Sequence, residues 1–244
     1  MKNRHLSYRW ITGTVAGLTA FSGGNTLLQA TSFAPLKHDA PERLSLGEFA
    51  FHHEAVLGTS MELIVHAGDA ENASACEHQV LAEIERLRRI LSTRDTASEI
   101  SRVQKGSPIE SRELAQVLAA YNVWSERTGG AINANMAGVV DLWKQAEREQ
   151  RLPDSSSLVT AFNAPMAFNV DGLGKGFIID RAVEVAKRFA SSGLLNIGGD
   201  IRVWGNYPRR VGVANPRQPA ENSPLISQFS LRDAAVATSG GYAR

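Results

Sequence analysis

Apolar positions along residues 75–91 recur at helical spacing. Val80, Ile84, Leu87 and Leu91 share one face while Glu and Arg fill the other, which predicts an amphipathic helix. The same pattern predicts helices over 113–128, stopped by Gly129-Gly130, and over 136–151, ending before Pro153. A fourth is predicted over 177–191, with Ile178, Ala182, Val185 and Phe189 on one face and Gly193 as its stop. Residues 49–56 and 61–66 alternate as strands, joined at Leu57-Gly58-Thr59-Ser60. Further strands are predicted over 167–170, 194–197, 201–204, 210–214, 226–231 and 234–238, with Gly198-Gly199 between the second and third of these. Helices and strands mix without the regular alternation of a doubly wound sheet, and no internal repeat is visible.

The chain has 244 residues, enough for one large domain or two small ones at roughly 100–200 residues each. Apolar residues make up 43% and charged residues 21%, so a real core is expected and low-complexity disorder is excluded for most of the chain. Lys and Arg number 26 against 25 Asp and Glu; a net charge of +1 argues against a nucleic-acid binder. The single cysteine, Cys76, rules out a disulfide framework and a multi-cysteine zinc site, and is read as a packing residue. No histidine follows His78, so the last two-thirds of the chain offers no histidine base or ligand.

Residues 1–30 look like an export signal: Lys2, Arg4 and Arg9, then the apolar run from Trp10 to Phe21, then small residues with Ala30 as the cleavage point. The expected location is periplasmic or cell-envelope associated, and the lack of a cysteine near this segment disfavours a lipoprotein. Residues 31–47 read as a linker, and 48–244 as one domain. The chain stops in a glycine-rich turn, Thr238-Ser239-Gly240-Gly241-Tyr242-Ala243-Arg244, from which a missing C-terminal portion is expected.

Three segments could carry chemistry. Asn169-Val170-Asp171-Gly172-Leu173-Gly174-Lys175-Gly176-Phe177 leads from an apolar run into a helix. Glycines let backbone N–H groups approach phosphate oxygens, and a helix N-terminus adds partial positive charge. Lys175 can neutralise a phosphate, and Asp171 can hold a metal or accept from a hydroxyl. The spacing matches neither the dinucleotide nor the P-loop fingerprint, so a tight strand-to-helix turn remains the alternative. Asn196-Ile197-Gly198-Gly199-Asp200 is either a hairpin turn or a backbone approached by a ligand. Thr238-Ser239-Gly240 suits anion or ring contact, or a turn. Trp124 and Trp143 are read as core.

Taken in order, these segments resemble the ApbE family of FAD:protein FMN transferases over residues 50–244. Leu57-Gly58-Thr59 resembles the family's Met-Gly-Thr, and Leu91-Ser92-Thr93 with Ser98-Glu99-Ile100-Ser101-Arg102 its "LST…SE(I/L)SR" block. Gly130-Ala131-Ile132-Asn133 with Leu142-Trp143 resembles "GAFD…LW". The segment 171–176 resembles "VD…AKG", residues 196–201 match "NIGGDI", and Thr238-Ser239-Gly240 with Tyr242 and Arg244 is similar to "TSGxYxR". The departures are Leu57 for Met, Arg94 for the aromatic after "LST", Asn133 for the acid of "GAFD", and a loop at Asp171 two residues shorter than the common form. Family members also continue into a His-Ile-Ile-Asp-Pro segment and an Asp/Thr metal pair that this sequence does not contain.

The resemblance implies an α+β flavin transferase fold and a Mg²⁺-dependent enzyme that moves FMN from FAD to a Thr or Ser hydroxyl of a target flavoprotein, with release of AMP. It implies FAD contacts from Asp171 and Lys175 to pyrophosphate and hydroxyls, and from Asn196, Gly198 and Gly199 through amide and backbone groups. Thr238 and Ser239 would contact the cofactor or steady the loop. Leu57, Arg94, Ala131, Ile132 and Asn133 would line the flavin and adenine ends. A backbone carbonyl of Leu173 or Gly174 would serve the metal, Asp200 would be a structural anchor, and no catalytic residue is assigned. An acceptor within an inner-membrane redox complex is the expected partner. The alternatives are a non-catalytic flavin- or nucleotide-binding module of the same fold, and a secreted structural domain whose glycine clusters are only turns.

Overall fold

The computed structural model describes residues 42–45, 47–215 and 224–239. The described residues fall into two compact units, one drawn from those up to residue 80 and from 183 onward, the other from residues 81–182. The export signal, the 31–41 part of the linker, and Gly240, Tyr242 and Arg244 of the last motif lie outside the described residues.

The first unit is built on an antiparallel sheet. Its strands are β1 (Glu42–Ser45), β2 (Glu48–Val56), β3 (Thr59–His66), β4 (Ser192–Ile197), β5 (Asp200–Trp204) and β8 (Ala235–Val236), in the spatial order β1-β2-β3-β4-β5-β8. A two-stranded sheet pairs β6 (Arg209–Val213) with β7 (Ser227–Leu231). Strand β4 is buried at every position, as its near-continuous apolar run requires. Leu194 pairs with Val203, and together with Ile201 they form a cluster with Val211 of β6, against which Ile64, Leu231 and Val236 pack. On the opposite face Trp204 lies over Gly193, where a Cβ would come within 2.3 Å of the indole ring, so only glycine fits.

Helix α1 (Ala70–Leu91) starts in this unit, capped by Asp69, whose carboxylate accepts the Asn72 N–H at 2.7 Å. It buries Cys76 completely, and burial together with the adjacent Glu77 carboxylate pushes the thiol up to about 12. The Cys76 Sγ faces the Ala186 carbonyl at 3.8 Å. Beside it His53 and Glu77 form a buried 2.6 Å pair.

The second unit is helical: the C-terminal part of α1, then α2 (Glu99–Val103), α3 (Arg112–Arg127), α4 (Ala137–Glu149), α5 (Ser155–Phe162) and the start of α6 (Asp171–Ala186). The 92–102 motif ties its loops together. Ser98 donates its hydroxyl to the Ser92 carbonyl at 2.7 Å and caps α2 by accepting from Ser101 N–H. Buried Glu99 accepts the N–H groups of Glu110 and Ser111 at 2.9 and 2.8 Å, and Ser111 in turn caps α3. Burial alone would raise the Glu99 pKa; the backbone donors outweigh it and hold the carboxyl below its usual range.

The α+β class holds, and every strand pairing among the described residues is antiparallel. Several expectations are corrected. Residues 42–45 of the expected linker pair with β2 as an edge strand. Helices α2 and α5 were not foreseen. The expected strand over 167–170 does not form: Ala167 accepts from Ala137 N–H and Asn169 donates to the Ala134 carbonyl, with no ladder beyond these bonds. Helix α6 starts at Asp171 rather than 177. Trp124 and Trp143, expected in the core, are 43% and 49% exposed, because the apolar faces of α3 and α4 are only partly covered.

Candidate functional site

In the first unit, two hairpin tips lie side by side at one end of the sheet. The β2–β3 turn is Leu57-Gly58, with φ of +52° and +81°. The β4–β5 turn is Gly198-Gly199, with φ of +57° and +88°. Two positive φ values in a row give the mirror-image turn whose twist suits a two-residue hairpin. Glycine takes that conformation without strain; Leu57 takes it against its Cβ, and so does Ala55 at +62° in the bulge just before it.

The tips are joined through Ser60, whose carbonyl accepts the Gly198 N–H at 3.0 Å, and through Thr59, which packs on Gly198. Buried Asn196 turns its side-chain oxygen back to the Gly199 N–H at 3.0 Å. Thr238 reaches in from the end of β8 and donates its hydroxyl to the Gly199 carbonyl at 3.1 Å. Exposed Ser239 follows it, and Asp200 opens β5. Three motifs far apart in sequence thus meet at one sheet end: 57–59, 196–199 and 238–239.

In the second unit the start of α6 is the centre. Asn169 caps it by accepting the Asp171 N–H at 3.0 Å. Tyr121, buried on α3, accepts the Leu173 N–H at 3.1 Å. Burial raises the Tyr121 pKa, so the phenol stays neutral. Asp171 is exposed, with the Arg94 guanidinium 3.6 Å from its carboxylate. Lys175 lies one turn further along, and Leu173 and Gly174 sit within the helix's first turns.

The Ala131-Ile132-Asn133 loop follows α3, held by Thr128, whose hydroxyl oxygen accepts the Ile132 N–H at 3.0 Å. The Asn133 side chain folds back to accept the Asn135 N–H at 2.9 Å, and neighbouring Ala134 accepts from Asn169. The loop after α3 and the start of α6 are therefore joined by main-chain bonding. Tyr121 was not foreseen as part of this site. Nothing in the periodicity of α3 separates it from an ordinary core position.

The start of α6 offers partial positive charge to an anion and Lys175 adds a full one, while the Asp171, Leu173 and Gly174 N–H groups are already bonded within the protein. A divalent metal finds less. Among the described residues no group of three or more His, Cys, Asp or Glu side chains could hold an ion, and the Asp171 carboxylate already faces a guanidinium. The described residues therefore do not assemble a metal site by themselves.

The described residues form an α+β fold with glycine-rich segments at a sheet end in one unit and at a helix start in the other. The family model described as "ApbE family" matches residues 57–244, and the chain belongs to that family. It is 24% identical to the FAD:protein FMN transferase of Treponema pallidum, over 78% of this chain and 64% of the relative. It is 27% identical to the protein of the same name from Haemophilus influenzae, over 62% of this chain and 54% of the relative. The chain thus spans less than two-thirds of the length of these curated relatives. Among solved structures, the ApbE protein of Thermotoga maritima is similar with a TM-score of 0.66 and 24% identity, over 81% of this chain and 72% of that one. The flavinyl transferase ApbE of Pseudomonas stutzeri gives 0.64 and 18%, over 80% and 70%.

Proposed function

We propose that this protein is an FAD:protein FMN transferase. The observation that carries the reading is the convergence of the 57–59, 196–199 and 238–239 motifs at one sheet end, in a chain of the ApbE family. In the proposed reaction a Thr or Ser hydroxyl oxygen of an acceptor flavoprotein bonds to the phosphorus nearest the riboflavin. The phosphoanhydride bond breaks, AMP leaves, and the hydroxyl proton is released. Mg²⁺ dependence is part of the proposal; the described residues do not gather a donor set for it.

The work of the described residues is positioning. Lys175, at the positive end of α6, would bind pyrophosphate oxygens, and Asp171 would accept from a ligand hydroxyl. Asn196, Gly198 and Gly199 would present amide and backbone groups to FAD, and Thr238 and Ser239 would contact it or steady the loop. Leu57, Arg94, Ala131, Ile132 and Asn133 would line its rings; the carbonyls of Leu173 and Gly174, expected to face a metal, lie within helix α6. The proposed location is the periplasm or cell envelope, with an acceptor in an inner-membrane redox complex.

Titration of the chain with FAD, with and without Mg²⁺, tests this by flavin fluorescence and AMP measured in one tube. Saturable binding with Mg²⁺-dependent AMP release is expected. Asp171→Ala should abolish binding while leaving the unfolding transition in place, since its side chain is exposed. Unchanged affinity in that variant would show that the α6 turn is not the FAD site. The second reading, a non-catalytic flavin-binding module, is favoured by Arg94 facing Asp171 and by the lack of a metal-donor cluster among the described residues. It predicts FAD retention with no AMP at any Mg²⁺ concentration.

A further inference from the structure

We infer that Tyr121 is a positioning residue for the ligand-binding start of α6, holding its glycine-interrupted first turns in helical form through a hydroxyl tether. The inference rests on the proposed role of Asp171 and Lys175 in binding FAD.

Helix α6 opens Asp171-Gly172-Leu173-Gly174-Lys175-Gly176, three glycines in six residues. Glycine is the weakest helix former after proline, and the first N–H groups of a helix have no partner within it. A helix starting this way frays unless its first amides are held from outside. Two side chains hold them. Asn169 takes the Asp171 N–H from just before the helix, and Tyr121 takes the Leu173 N–H from α3, 52 positions away in sequence. The next amide, Gly174 N–H, already reaches the Val170 carbonyl at 2.7 Å. Tyr121 therefore does for Leu173 what a capping side chain ordinarily does.

The geometry leaves little slack. The Tyr121 residue is only 4% exposed, so its ring is fixed by packing. A Cβ on Gly172 would stand 3.2 Å from the phenol oxygen, so glycine at 172 is what lets the hydroxyl approach the backbone. Between the two tethered amides stands the Gly172 peptide, and the Asp171 carboxylate and Lys175 ammonium project from the turns so held. Glycine gives a ligand access to this backbone, and Tyr121 restores the order that glycine removes. Phenylalanine would fill the same space and leave the Leu173 N–H without its acceptor.

The test is Tyr121→Phe in the full chain, with three readouts: amide hydrogen exchange at Leu173 and in β4, FAD affinity by flavin fluorescence, and AMP release at saturating FAD. Losing one hydrogen bond should speed Leu173 exchange about two- to tenfold and leave β4 unchanged. FAD affinity should fall by a similar factor, with AMP release at saturation unchanged. Adding Gly176→Ala, at a position with open space around it, should return part of the Leu173 protection by raising helix propensity. Unchanged Leu173 exchange overturns the tether whatever FAD does. Faster exchange in β4 as well assigns the effect to ring packing and overturns it too. If Asp171→Ala abolishes FAD binding but Tyr121→Phe leaves it intact, the positioning role fails while the proposed site stands. If neither variant changes FAD affinity, it is the proposed site that fails.

Discussion

Gly198→Ala separates two demands that the hairpin tip makes on one residue. The backbone demand is a φ of +57°, which disfavours a residue with a Cβ by about 1–2 kcal/mol. The packing demand comes from Thr59: an added Cβ would lie 2.6 Å from its Cγ2 and 2.8 Å from its Oγ1. Forcing an extra methyl into such a contact costs about 1–3 kcal/mol. The sum is about 2–5 kcal/mol. Gly199→Ala is the internal control. Its φ is +88°, but its Cβ would meet Thr238 at 3.5 Å, an ordinary contact, so only the backbone part, about 1–2 kcal/mol, applies. Urea unfolding measures both from the midpoint and slope. Thr59→Ala in the Gly198→Ala background removes the two shortest contacts, leaving only the Thr59 Cβ at 3.1 Å, and should recover most of the packing part, a coupling of about 1–2 kcal/mol. The reasoning is refuted if Gly198→Ala is no more destabilised than Gly199→Ala, or if the coupling falls below about 0.5 kcal/mol.

Two further outcomes follow from single interactions. Thr238→Val removes the hydroxyl that holds the Gly199 carbonyl and should lower stability by about 0.5–1.5 kcal/mol in the same urea assay. If the sheet end binds FAD, affinity falls with it in a fluorescence titration. The folded Glu99 pKa lies below its unfolded value, so its stabilisation is present above the unfolded carboxyl pKa and is lost as pH falls through the folded one. Urea midpoints measured from neutral pH into the acid range should therefore drop more steeply for the native chain than for Glu99→Gln, and parallel curves would contradict the assignment.

What the sequence revealed and what it hid follow from the range of the forces involved. The two glycine-tipped hairpins were legible because alternation and turn chemistry are local, and α1, α3 and α4 because amphipathic periodicity is local. The start of α6 was hidden. Its glycines point to a loop, while the groups that make it helical are Asn169 nearby and Tyr121 on another helix. The apolar run 167–170 has the composition of a strand but no neighbouring strand to bond. Strand β1 has a linker's composition and is a strand only through its pairing with β2. Periodicity placed Trp124 and Trp143 on apolar faces without saying how much of those faces is covered. The site motifs were readable one by one. The Ser60 and Thr238 bonds that bring three of them together, and the pairing of Arg94 with Asp171, span distances in sequence that no local pattern encodes.

Cys76 gives the molecule a clock. It is the chain's one thiol, completely buried, and its pKa of about 12 leaves almost no thiolate near neutral pH. Thiol reagents attack the thiolate, so the closed native state is silent to them and each modified molecule records an opening that exposed the inner face of α1. Under excess reagent the labelling rate becomes the frequency of that opening, read without introducing a probe. A ligand that binds only the closed form slows the clock by the factor with which it stabilises the fold.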